Sequence, residues 1–181
     1  MKNLKEQFLN HQSKRHHICI DRKIADTFRI HGFVLACTSN FVLIHIAEDF
    51  HLDGYQILRI PDINFIRHSS SDRVMDKIFK AEGEKKKIGL DFDIDLTNWQ
   101  SIFRSLKNIG ENIIVEGEDP DLDEFIIGKI KRVNPKSVSL LNFDGSGLWD
   151  EMTTSCPYDE ITSMKFRCEY INIFSKYVKD K

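Results

Sequence analysis

A faint internal repeat constrains this chain more than any other feature of its sequence. At an offset of about 96 residues, Gly32 falls on Gly128, Val34 on Ile130, Val42 on Val138 and Ile44 on Leu140. The matching stretches are 28–37 and 41–46 in the first half, and 125–133 and 138–141 in the second, where the turn is Asn134-Pro135-Lys136. Segment 17–21 falls on 113–117, and Pro61 falls on Pro157. A chain of 181 residues is long enough for two small units but short for two large ones.

Both halves give the same order of signals. An amphipathic helix comes first. In the second half Trp99, Ile102, Phe103, Leu106 and Ile109 recur at helical spacing, with Thr97 or Asp95 able to cap the start. In the first half Leu4 and Phe8 are a weaker echo. About five short strands follow. The glycine inside the second strand predicts a bend or bulge. The dipeptides Asp53-Gly54 and Asp144-Gly145 read as the turns between strands three and four. A last strand is expected over 63–67 and 161–166. Each half then closes on a helix, over 72–81 and over 169–178, the latter with Tyr170, Ile173, Phe174 and Tyr177 on one face.

A helix followed by five bent strands describes a small SH3-like or Sm-like barrel. The expected fold is therefore mainly β with short flanking helices (α+β), as two tandem barrels packed together. The units are 1–82 and 91–181. They are joined by an exposed linker over 83–90, where two glycines and a charge run disfavour a helix or strand interior.

The second half resembles a loose group of uncharacterised bacterial proteins with tandem Sm-like small β-barrels. The residues carrying this are Ile127-Gly128-Lys129-Ile130, Ser137-Val138-Ser139-Leu140, Phe143-Asp144, Gly147-Leu148-Trp149-Asp150, Pro157-Tyr158-Asp159-Glu160-Ile161-Thr162, and Tyr170 with Phe174-Ser175-Lys176-Tyr177. The resemblance covers roughly 112–178 and, more faintly, 17–80. It implies an Sm-like fold and no particular activity. The turns with which ring-forming Sm-class proteins hold RNA, of Asp-Met-Asn type after strand three and Arg-Gly type before strand five, are absent from this sequence.

Composition narrows the functional classes. The net charge of −2 hides an asymmetry, +4 over residues 1–90 and −6 over 91–181. Neither half has the dense basic stripe of a default nucleic-acid binder. No apolar run approaches a membrane span, and the charged first fifteen residues lack the apolar core of a secretion signal. A cytoplasmic location is expected. Cys19, Cys37, Cys156 and Cys168 form no CxxC pair and read as buried free thiols.

Few residues suggest chemistry. Asp91, Asp93 and Asp95 alternate like the start of a calcium loop, but Leu96 and Ile102 stand where that loop needs Gly and Glu. They read instead as acidic residues leading into the Trp99 helix. His45 and His51 could share a metal if their turn folded them together, and a solvated polar turn is the plainer reading. His16-His17 beside Lys14-Arg15 reads as an exposed basic segment, or a weak phosphate contact, before strand one. Gly145-Ser146-Gly147 lacks the lysine of a phosphate loop. Lys129, Lys131, Arg132 and Lys136 are the densest basic cluster of the acidic half and the candidate nucleic-acid contacts. Phe143 and Trp149 stand near in sequence as stacking or core residues. The acidic residues from Glu116 to Glu124 would oppose a nucleic-acid backbone there.

No cofactor is expected. The favoured function is a non-catalytic interaction module whose protein partner pairs with an exposed strand edge or docks in the groove between the units. The alternative is an RNA- or DNA-binding Sm-like protein using the basic face. An enzyme relying on Cys156 or the His45/His51 turn ranks third.

Overall fold

A computed structural model describes residues 3–24, 29–118 and 124–179. Phe28 of the repeat and Asp119, Asp121 and Asp123 of the acidic loop lie outside the described residues. The chain divides into two compact units, Met1–Phe92 and Asp93–Lys181.

The first unit opens with helix α1 (Leu4–Lys14) and continues through strands β1 (Ile18–Arg22), β2 (Ile30–Cys37), β3 (Phe41–Glu48), β4 (His51–Arg59) and β5 (Ile63–Arg67) to helix α2 (Ser70–Ala81). The second has helix α3 (Trp99–Lys107), strands β6 (Asn112–Gly117), β7 (Glu124–Val133), β8 (Ser137–Asn142), β9 (Thr154–Pro157) and β10 (Ser163–Phe166), then helix α4 (Glu169–Phe174). Strand order is β5-β1-β2-β3-β4 in the first and β10-β6-β7-β8-β9 in the second, so both units use one topology. All ladders within them are antiparallel. The protein is thus mainly β with four short helices. The expected barrels do not close: among the described residues no ladder joins β5 to β4 or β9 to β10.

The repeat is written into the register. On β2 and β3, Gly32 pairs with Ile46, Val34 with Ile44 and Ala36 with Leu43. On β7 and β8, Gly128 pairs with Asn142, Ile130 with Leu140 and Arg132 with Ser139. Each pair of the second set is the first moved by about 96 residues. Leu35 and Lys131 are the extra residues of equivalent bulges. The glycines explain the bend. A Cβ on Gly32 would run into the His45 carbonyl oxygen, and one on Gly128 into the Leu141 carbonyl oxygen and carbon. Backbone meets backbone there, and only glycine leaves room.

The equivalence drifts at the outer strands. Ile18 opposes Gly32, but Ile113 opposes Gly128, one residue short of the offset. Pro157 ends β9, whereas Pro61 lies in a 3-10 turn after β4, so these prolines are not equivalent. Asp53-Gly54 is not the hairpin turn either. The β3–β4 turn is Asp49-Phe50, closed by Glu48 opposite His51, with Asp49 left-handed at φ 46°. Asp53 and Gly54 sit within β4 where the register shifts between His45 and Ala47. Gly54 takes the left-handed conformation (φ 63°) that the bulge requires.

In the first unit a large core joins Phe8 of α1 to Ile18, Ile20, Val34, Val42, Ile44 and Leu58. A second cluster of Phe33, Ala47, Phe79 and Ile88 takes in Leu35, Leu52 and Met75. Neighbours Phe33 and Val34 thus enter different clusters, which is why the strand reads as a continuous apolar run. Ile88 belongs to segment 83–90, read above as linker. That segment forms a 3-10 turn over Glu84–Lys87 and runs against its own unit. Tyr55 donates to the Gly89 carbonyl (2.8 Å) and Arg15 to the Ile88 carbonyl (2.5 Å).

In the second unit α3 buries Trp99, Ile102, Phe103 and Leu106. Its cap is Asn98, whose side chain accepts from the Ser101 N–H (2.9 Å); Asp95 instead accepts from Thr97. Helix α4 is shorter than the 169–178 periodicity implies. It buries Ile171, while Tyr170, Ile173 and Tyr177 are exposed. Phe174 packs with Phe143 and Trp149 against the cluster around Ile114, Ile127 and Ile171.

Candidate functional site

Lys129, Lys131, Arg132 and Lys136 are all exposed. The bulge on β7 is the cause: it breaks strict alternation after Ile130, so Lys131 and Arg132 are both left facing water. Lys129 stands apart from the other three by its surroundings. Its ammonium lies 5.5 Å from the centre of the Trp149 ring, within cation–π range. Trp149 meets Phe143 edge-on (5.3 Å), and Phe143 meets Phe174 in the same way (5.2 Å). Phe143 is 1% exposed, so it packs the core and only Trp149 offers a surface.

Lys129 and Trp149 border an open cavity of about 390 Å³, with Glu111, Asn112, Asn172 and Ser175 among its other walls. Asn112 donates from Nδ2 to Ser175 Oγ (2.7 Å), while its buried Oδ1 has no partner. Glu111 is held by Arg167, whose Nε lies 2.9 Å from both carboxylate oxygens. The cavity thus offers a cation and an aromatic face. Those groups suit a polar planar ligand or the sugar-phosphate of a nucleotide better than an apolar one. Glu116 is engaged by Ser163 and Lys165, and Glu118 by Thr162.

His45 and His51 do not come together. His45 is buried, stacks on Tyr55 (4.4 Å between rings), and has its pKa pulled down to about 4 by loss of solvent, against a smaller opposing pull from Glu84. His51 is exposed beside the hairpin turn. His17, read as exposed, is 2% exposed and stacks on His31. Its Nδ1 lies 3.3 Å from Asp72 Oδ1. Asp72 lies in the first turn of α2, accepting from Ser69 N–H (2.6 Å) and Ser69 Oγ (2.7 Å). Even with burial working the other way, these bonds and the Arg67 and His17 charges hold its carboxyl below the usual range.

A second histidine group went unread in the sequence. His11 projects from α1, His16 from the α1–β1 connection and His68 from the β5–α2 connection. Their ring nitrogens lie within 4.8 Å of one another. The only sequence hint was the His16-His17 pair, because its partner His68 is fifty residues away.

None of the four cysteines is in a disulfide. Burial, with the Glu124 and Glu160 charges, pushes the Cys156 thiol up to about 12, so it is not a nucleophile at neutral pH. Asp144 Oδ1 accepts from Ser146 N–H (2.9 Å) and Leu148 N–H (3.1 Å), and its carbonyl accepts from Gly147 N–H (3.0 Å), so the Ser146 and Gly147 amides are bonded within the turn. No helix among the described residues is long and apolar enough to cross a membrane. Comparison with protein-family models, curated proteins and solved structures finds no match.

Proposed function

We propose that this chain is a non-catalytic binding module of two open, Sm-like units that takes an extended segment of a partner protein on a free strand edge. The strand order common to both units and the shared bulge support the Sm-like assignment. The observation carrying the partner is the edge at β5. Among the described residues β5 is laddered on one side only, to β1, and it carries Phe65 at 41% exposure. Native edges are usually blunted by proline, charge or shortness. In the second unit the edge strand β9 has four residues and ends in Pro157. Strand β5, five residues long and ending in Arg67, carries neither proline nor charge over Asn64-Phe65-Ile66, and strand addition needs such a stretch. The absence of a disulfide among the four cysteines fits a reducing, cytoplasmic setting.

The test is affinity purification from the native host with wild-type chain and Phe65→Lys, with matched melting curves. A partner held by wild type and lost by the variant supports the reading. Equal recovery of every partner refutes it.

A second reading is favoured by Lys129 above Trp149: the basic face of the second unit binds single-stranded nucleic acid. Its test is fluorescence anisotropy with labelled oligouridylate and oligoadenylate at low and high salt. Binding that weakens steeply with salt and disappears in Lys129→Ala plus Lys131→Ala would put nucleic acid ahead of a protein partner. Flat titrations would remove it.

A further inference from the structure

We propose that His11, His16 and His68 form a site for one divalent late transition-metal ion, of the zinc type, that ties α1 to the β5–α2 connection.

The geometry comes first. His11 Nδ1 and His16 Nδ1 are 3.2 Å apart. Two nitrogens bound at about 2.0–2.1 Å to one tetrahedral ion are separated by about 3.3 Å. The pair already stands at ligand spacing. His68 is oriented from behind: its Nδ1 lies 2.8 Å from the His17 carbonyl oxygen. Such a bond places the proton on Nδ1 and leaves Nε2 with a free lone pair, the arrangement that fixes metal-binding imidazoles elsewhere. The rings of His16 and His68 are stacked at 4.1 Å with planes 4° apart, so their lone pairs run side by side. A turn of one ring about χ2 converges them.

The electrostatics are compatible. Burial, followed by the repulsion of the neighbouring rings, pulls His11 and His16 below the ordinary histidine range. Asp76 stands beside the cluster, its Oδ2 3.7 Å from His68 Nε2. Its other oxygen receives the His17 N–H (3.0 Å) and the Lys85 ammonium (2.5 Å). Lys85 and Lys14 are the cations that face the site, and Asp76 offsets one of them. A three-imidazole set selects borderline ions over magnesium or calcium, which want oxygen.

The neighbouring group of His17, His31 and Asp72 is the competing assignment. Asp72 is already committed to Ser69 and Arg67, which is why it ranks second.

The experiment is calorimetric titration of the chelator-treated full chain with Zn²⁺, with Ni²⁺ and Mg²⁺ in parallel, and melting curves with and without metal. One equivalent of Zn²⁺ is expected to bind, Mg²⁺ is not, and the melting temperature should rise by several degrees. His11→Ala and His68→Ala should each weaken binding at least about tenfold and abolish the thermal shift. His31→Ala should leave both unchanged. Circular dichroism confirms that each variant is folded, and cobalt substitution gives a second readout through its tetrahedral absorption. No binding to wild type, binding unchanged in His11→Ala and His68→Ala, or binding lost in His31→Ala would each overturn the proposal.

Discussion

Replacing Gly128 by alanine tests whether the glycine of the repeat is required by a backbone contact. The new methyl would fall on the Leu141 carbonyl group and close to the Asn142 Cα, which lies 2.9 Å from the ideal Cβ position. These are main-chain atoms of the adjacent strand, so no side chain can swing away. β7 and β8 must part at the Gly128–Asn142 pair. The nearest bonds at risk are Ile127 N–H to Asn142 Oδ1 (3.1 Å) and Phe143 N–H to the Ile127 carbonyl (3.1 Å). Overpacking alone costs about 1–3 kcal/mol, and each bond lost adds roughly 1 kcal/mol. The expected loss is about 3–5 kcal/mol, a large part of a typical domain's total stability. Gly32→Ala meets the His45 carbonyl in the equivalent way and should cost a similar amount. Gly145→Ala is the control: nothing lies within 4 Å of its Cβ position, and its effect should stay within about 0.5 kcal/mol. Urea and thermal melts of the three variants read the difference. A Gly128→Ala protein as stable as Gly145→Ala would refute the backbone-contact argument, and with it the reason both halves keep a glycine there.

Two further outcomes follow from buried titrating groups. The folded pKa of His45, about 4, lies below the ordinary histidine value, so the unfolded chain takes up its proton first. Its contribution is full above about pH 6.5 and is lost as pH falls towards 4, by at most on the order of 3 kcal/mol. The gap between the urea stabilities of wild type and His45→Leu should change over that window and be constant above pH 7; a constant gap throughout would count against it. Cys156, with its thiol near 12, should resist a thiol reagent at pH 8 until the protein is unfolded. Rapid labelling of Cys156 in the native state, located by mass spectrometry, would contradict the burial.

What the sequence made legible was whatever a local pattern controls. Strand β5 lies over 63–67 as read, since its bounds follow from Pro61 before it and the capping residues Ser69 and Asp72 after it. Helix α3 emerges because four buried residues recur at helical spacing. The glycine pair was legible because backbone crowding leaves a residue-type signature at one position. Errors arose where two local signals compete. Asp53-Gly54 and Asp49-Phe50 can each reverse a chain. The structure uses the less glycine-rich pair because the bulge opposite Ile46 already needs the left-handed Gly54. The α4 periodicity ran on to 178 because Tyr177 keeps helical spacing. Past Phe174 the described chain instead leaves the helix, and Leu148 bridges Lys179 beside it. The histidine cluster lies beyond any such reading. His11 belongs to α1, His16 to the α1–β1 connection and His68 to the β5–α2 connection, and their convergence is set by how Phe8 anchors α1 against β1 and β2. Its existence therefore depends on the same core that the glycine substitution would disturb in the first unit. Gly32→Ala should thus weaken metal binding along with stability, whereas Gly128→Ala in the other unit should affect stability alone.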